Sequence, residues 1–85
     1  MIIEYVEAAL SKARYEKLKD KKEPYYGEIP VLKGVWATGK TLESCRSRLS
    51  EVVEGWLMVR IRKGLPIPSI GKYRIQHPKE LKFGT

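Results

Sequence analysis

The segment Val35-Trp36-Ala37-Thr38-Gly39-Lys40-Thr41-Leu42-Glu43-Ser44-Cys45 changes its apolar period at Thr41. Before Thr41, Val35, Trp36, Ala37 and Thr38 supply the branched and aromatic side chains of a strand. After it, Leu42, Cys45, Leu49, Val52, Val53, Trp56 and Leu57 recur every three or four residues, which is the spacing of one helix face. A helix over about 41–63 is predicted. Thr41 suits its N-cap, and Glu43 complements the dipole of the first turn. Arg60, Arg62 and Lys63 fill the last turn, and Gly64 offers a left-handed stop. Ser44 stands where a capping box carries Glu or Gln, so the full box is not expected.

Upstream, Tyr25-Tyr26-Gly27-Glu28-Ile29 reads as a strand that Pro30 ends. Lys33-Gly34 turns the chain into the strand at 35–38, so the two strands form a hairpin or meander. Asp20-Lys21-Lys22-Glu23-Pro24 is a turn. Residues 13–19 are open between an extension of the preceding helix and an edge strand guarded by lysines. Ile2, Ile3, Val6, Ala9 and Leu10, with Glu4 and Glu7 between them, mark an amphipathic helix over 2–12. Downstream, Leu65-Pro66-Ile67-Pro68 is not helical, a short strand is expected at about 72–76, and 77–85 reads as a loose tail. The fold class is α+β: a small antiparallel sheet of three to four strands packed by one long helix, with a short N-terminal helix. The order is helix-strand-strand-strand-helix-strand, in one domain of 85 residues.

Apolar residues make up 42% of the chain and charged ones 32%, a globular composition with a thin core. The formal charge is +7, which directs attention to acidic partners and nucleic acid. The excess is unevenly placed. Residues 12–22 carry +4 and residues 58–85 carry +6, whereas residues 23–57 carry −1. No apolar run is long enough to span a membrane, and the N-terminus lacks the pattern of a signal peptide, so a cytoplasmic location is expected.

The inventory for catalysis is poor. Gly34-Val35-Trp36-Ala37-Thr38-Gly39-Lys40-Thr41 matches the phosphate-loop pattern letter for letter. Its interior consists of strand formers, and no hydrophobic strand ending in Asp follows to hold magnesium. The bland reading, a strand followed by a turn and a helix cap, is preferred; a residual anion site at the helix start is the weaker alternative. His77 is the single histidine and falls in the expected tail. Ser44, Ser47 and Ser50 lie on the long helix with no histidine nearby in sequence. Glu43, Glu51 and Glu54 read as a solvated face paired with Arg46 and Arg48. Cys45 reads as a small buried thiol, and with one cysteine no intrachain disulfide is available. No catalytic residue, metal site or cofactor is expected, and hence no enzyme.

Binding is the better prospect. Tyr25, Tyr26 and Trp36 fall on adjacent strands, either as a core cluster or as a recognition surface, and Glu28 alternates among them. These four are the candidate partner-binding residues. Trp56, Met58, Val59 and Ile61 crowd the end of the long helix beyond what one core face absorbs, so they are the candidate oligomer interface of a homodimer or tetramer. A small basic oligomer that binds nucleic acid through 12–22 and 58–82 is the alternative function.

Pro24-Tyr25-Tyr26-Gly27-Glu28-Ile29-Pro30 and Lys33-Gly34-Val35-Trp36-Ala37-Thr38-Gly39-Lys40-Thr41-Leu42-Glu43-Ser44-Cys45 together resemble the HicB-like antitoxin family. Ala13-Arg14-Tyr15-Glu16, Leu49, Val53, Gly55-Trp56-Leu57 and Gly64-Leu65-Pro66-Ile67-Pro68 extend the resemblance over about 13–68. It implies a partial ribonuclease-H-like fold without the nuclease carboxylates. It also implies an antitoxin that binds a small, messenger-RNA-cleaving HicA-type toxin and covers its catalytic surface. Many members continue into a DNA-binding segment. About 20 residues follow Gly64, so a variant without that module is expected.

Overall fold

The structure, a computed structural model, describes residues 2–19 and 21–75. Helix α1 (Ile2–Ser11) is followed by strands β1 (Arg14–Lys17), β2 (Tyr25–Glu28) and β3 (Trp36–Gly39), and then by helix α2 (Leu42–Lys63). The strands form an antiparallel sheet in the order β1-β2-β3. This is the expected α+β architecture, and residues 14–17 form the edge strand rather than more of α1. Among the described residues no helix is long and apolar enough to cross a membrane.

The strand expected at 72–76 does not form over 72–75. Ile70 and Tyr73 instead make an isolated antiparallel bridge, exchanging N–H···O bonds of 2.8 and 2.9 Å around Gly71 at φ 57°. Tyr73 thus spends both backbone groups on a residue three positions away and has none left for the sheet. Gln76 and the tail at 77–85 lie outside the described residues.

One face of the sheet is covered by α2, whose Cys45, Leu49, Val53 and Leu57 are buried. These four recur at i+4, so a single ridge of the helix meets the strands. Glycine permits the close fit. A Cβ on Gly39 would lie 2.5 Å from the Cys45 backbone nitrogen, so the start of α2 rests directly on β3. Helix α1 adds Tyr5, Val6, Ala9 and Leu10 to the same core, and Tyr5 donates a hydrogen bond to the Pro68 carbonyl. The β2–β3 connection is anchored as well, because Ile29, Leu32 and Val35 are each almost fully buried and bonded to one another through the backbone. Burying each such aliphatic side chain contributes about 1.5–3 kcal/mol.

Both ends of α2 are closed. The Thr41 hydroxyl accepts from the Ser44 N–H at 3.0 Å, and the Ser44 hydroxyl accepts from the Thr41 N–H at 3.1 Å. The reciprocal box therefore exists, contrary to the expectation from sequence, because a serine hydroxyl reaches the N-cap amide as Glu or Gln would. At the other end Gly64 is left-handed at φ 68°, and the Leu65 N–H reaches the Arg60 carbonyl at 2.9 Å.

Candidate functional site

The register sorts the sheet residues into cross-strand rows. Tyr15, Gly27 and Ala37 form one row, and Lys17, Tyr25 and Gly39 another, on the side facing α2. Arg14, Glu28 and Trp36 form a row on the opposite side, next to Glu16, Tyr26 and Thr38. Neither helix covers that second face.

The four partner-binding candidates are therefore divided. Tyr26, Glu28 and Trp36 share the open face, with the Tyr26 and Trp36 rings stacked at 6.1 Å between centroids and 24° between planes. Trp36 stays 54% exposed, although it is the largest apolar group on this face. Tyr25 points to the other side, because neighbours along a strand alternate, and it lies beneath the Lys17 ammonium at 5.6 Å. Beside Trp36 is a hollow of about 220 Å³ walled by Tyr26, Glu28, Pro30 and Lys33.

A polar cluster closes the free edge of β3. The Thr38 hydroxyl donates to Glu23 at 2.8 Å, and Arg48 Nη1 donates to the same carboxylate at 2.6 Å and to the Thr38 carbonyl at 3.2 Å. The Thr38 hydrogen bond, followed by that from Arg48, holds the Glu23 carboxyl below its usual range. Arg48 thus does not pair with Glu43, Glu51 or Glu54 along its own helix; it turns toward the sheet, where carboxylate and carbonyl both accept from it. Twenty-five residues separate Glu23 from Arg48, and no local pattern announces the pair.

The phosphate-loop letters do not fold as a phosphate loop. Residues 36–39 are β3, paired with β2, and Gly34 occupies a turn at φ 84°. At the start of α2 the Thr41 and Ser44 amides are already spent on the capping box and do not face an anion. Cys45 is fully buried, its Sγ donating to the Ala37 carbonyl at 3.5 Å, and burial pushes its thiol up, away from a reactive thiolate. Among the described residues there is no group of three or more His, Cys, Asp or Glu placed to hold a metal ion. His77 lies outside them.

The four oligomer candidates also occupy more than one face. Trp56 and Val59 line an apolar groove of about 520 Å³ with Val52, Gly55, Arg60 and Leu65. The Arg60 guanidinium stacks on the Trp56 ring at 4.5 Å and donates to the Pro66 carbonyl at 2.9 Å. At about 100° per residue, Met58 lies roughly 110° round the helix from this groove, and Ile61 roughly 170°. Met58 is exposed and Ile61 half-buried.

A family model described as UPF0150-like matches residues 4–68. The crystal structure of TTHA0281 from Thermus thermophilus is similar to this chain with a TM-score of 0.83 and 47% sequence identity, over 91% of this chain and 94% of that one. No protein with a curated description matches.

Proposed function

The chain belongs to the UPF0150-like family, and on that premise we propose that it is a HicB-like, non-catalytic binding protein that masks a small HicA-type, messenger-RNA-cleaving toxin. The observation that carries this reading is the Tyr26–Trp36 stack on the open face of the sheet. Large aromatic side chains on rigid strands supply binding area at low entropic cost and form the energetic centres of protein interfaces. Glu28 stands in the same cross-strand row as Trp36, adding an acceptor at the edge of that patch. Inhibition would be steric: the face occupies the toxin's catalytic surface, with no metal, cofactor or bond-making step. The resemblance over 13–68 supplies the identity of the partner.

The competing reading, a basic nucleic-acid-binding protein, has one observation in its favour: all six Lys and Arg residues of 12–22 are exposed. The same experiment separates the two. The chain is co-expressed with a small toxin encoded beside it, and growth and co-purification are followed. Restored growth with a stable complex supports masking. Failure of both, together with RNA binding that weakens steeply between about 50 and 200 mM salt, supports the alternative.

A further inference from the structure

The two outer edges of the sheet are left in different states. The Leu18 N–H donates to the Pro24 carbonyl at 2.6 Å, so these two residues form a hydrogen-bonded pair of the β1–β2 ladder. Bonded and non-bonded pairs alternate along an antiparallel ladder, which makes Glu16 with Tyr26 and Arg14 with Glu28 bonded pairs as well. Tyr15 and Lys17 therefore turn both N–H and C=O away from β2, to the outside of the sheet. In the β2–β3 ladder the Ile29 N–H donates to the Val35 carbonyl, and the same alternation places the Thr38 carbonyl on the outer edge of β3. There Arg48 donates to it at 3.2 Å. Among the described residues nothing does the same for the outward groups of Tyr15 and Lys17. The edge of β1 is open.

Charge and backbone chemistry identify the occupant. Lys12, Arg14, Lys17, Lys19, Lys21 and Lys22 border this edge, all of them exposed and none in an ion pair among the described residues. Glu16 is the one acid described between them. Like charges facing across a strand pair repel, so the edge rejects another copy of itself and attracts an acidic strand. Residues 72–85 of the chain are rejected for the same reason, since they carry Lys72, Arg74, Lys79 and Lys82 against Glu80. A row of phosphates satisfies only half of the edge, because it accepts hydrogen bonds but donates none to the outward carbonyls of Tyr15 and Lys17. An extended peptide does both. We propose that the open edge of β1 binds an acidic, extended segment of another protein, which joins the sheet as a fourth strand. Its backbone pairs with Tyr15 and Lys17, and its carboxylates lie beside Arg14, Lys17 and Lys19. Tyr26, Glu28 and Trp36 take no part, so this edge is independent of the toxin reading.

Amide hydrogen exchange of the whole chain, resolved by residue, tests this with a short, end-blocked peptide of alternating glutamate and valine as the probe. The Tyr15 and Lys17 amides are expected to exchange freely without peptide and to slow about tenfold or more with it. The inward amides of Arg14 and Glu16 should change little. The same peptide N-methylated throughout keeps its charge but cannot donate, so it should give no protection; this readout needs no variant of the chain. Lys17→Glu is expected to raise the peptide dissociation constant roughly tenfold, whereas Lys63→Glu, an equal change of charge at the end of α2, leaves it unchanged. Tyr15 and Lys17 amides already protected in the free chain would put its own C-terminal segment or a second copy on the edge, and would overturn the proposal. So would equal binding of the N-methylated peptide, indifference to Lys17→Glu, equal weakening by Lys63→Glu, or tighter binding of an oligouridylate than of the peptide.

Discussion

Arg48 Nη1 meets Glu23 Oε2 at 2.6 Å and so ties the second turn of α2 to the β1–β2 connection across the free edge of β3. The arrangement has a pH signature. The Glu23 carboxyl is held below its usual range by Thr38 and then Arg48, so the folded state binds its proton more weakly than the unfolded state does. The resulting stabilisation is fully present above the ordinary carboxylate pKa and is lost as pH falls through the lowered one. Glu23→Gln should therefore lower the urea midpoint at pH 7. The gap from wild type should narrow steadily below about pH 5. A gap that stays constant down to pH 3 would mean the ion pair contributes nothing that titrates.

The contact between Gly39 and Cys45 predicts an unequal response at two glycines. A Cβ on Gly39 would lie 2.5 Å from a backbone nitrogen and 2.8 Å from the Cys45 Cα, neither of which can move without lifting α2 off the sheet. A Cβ on Gly27 would meet the Tyr15 ring at 2.9 Å and the Cys45 sulfur at 3.2 Å, both of them side-chain atoms. Gly39→Ala is expected to cost about 1–3 kcal/mol or more, and Gly27→Ala less. Denaturant unfolding of the two variants checks the order.

The capping box predicts that Thr41→Ala costs about 1 kcal/mol, since the Ser44 amide loses its acceptor. Ser44→Ala should cost less, because the amide it leaves belongs to exposed Thr41 and water replaces the hydroxyl. Thermal melts at a single pH distinguish the two. Equal losses would show that the box acts as one unit.

Tyr5 supplies an alkaline counterpart to Glu23. It is fully buried, and burial raises its phenol pKa while the hydroxyl donates to the Pro68 carbonyl. A raised pKa means that the stabilisation is complete below the ordinary tyrosine value and is lost as pH climbs through the raised one. Tyr5→Phe should cost about 1 kcal/mol at neutral pH, the net worth of one hydrogen bond. Above about pH 10 the difference should shrink, because ionisation penalises wild type alone. Urea midpoints measured at about pH 7 and about pH 10.5 give both numbers.

The sequence makes legible what repeats locally. Leu42 to Leu57 keeps one period and is bracketed by Thr41 and Gly64, so α2 is found with both ends correct. Even there the faces blur: Leu42 is 48% exposed, because the first turn of α2 precedes the ridge that starts at Cys45. Strand β1 is ambiguous in the sequence because Tyr15 alternates with charges that suit a helix surface as well as a sheet edge. The open face was only half legible. Alternation separates Tyr25 from Tyr26, but the pairing that sets Trp36 opposite Glu28 depends on how the 29–35 connection folds inward. Glu23 and Arg48 meet through tertiary placement alone, and no spacing rule reaches across 25 residues.

The partner-binding reading rests most heavily on Trp36, and Trp36→Ala is its sharpest test. The side chain is 54% exposed and its neighbour in the stack, Tyr26, is half-buried, so truncation removes surface rather than core. The unfolding midpoint should move little, since exposed substitutions usually fall within about 0.5 kcal/mol. Affinity for the toxin should fall roughly thirtyfold or more, as expected of an anchoring aromatic. Tyr25→Ala is the matched control, because Tyr25 faces α2; its loss should lower stability while sparing affinity in the molecules that remain folded. Calorimetric titration of the toxin into each variant, with unfolding followed in parallel, yields the four values. If Trp36→Ala binds as wild type does, the open face of the sheet is not where the toxin docks.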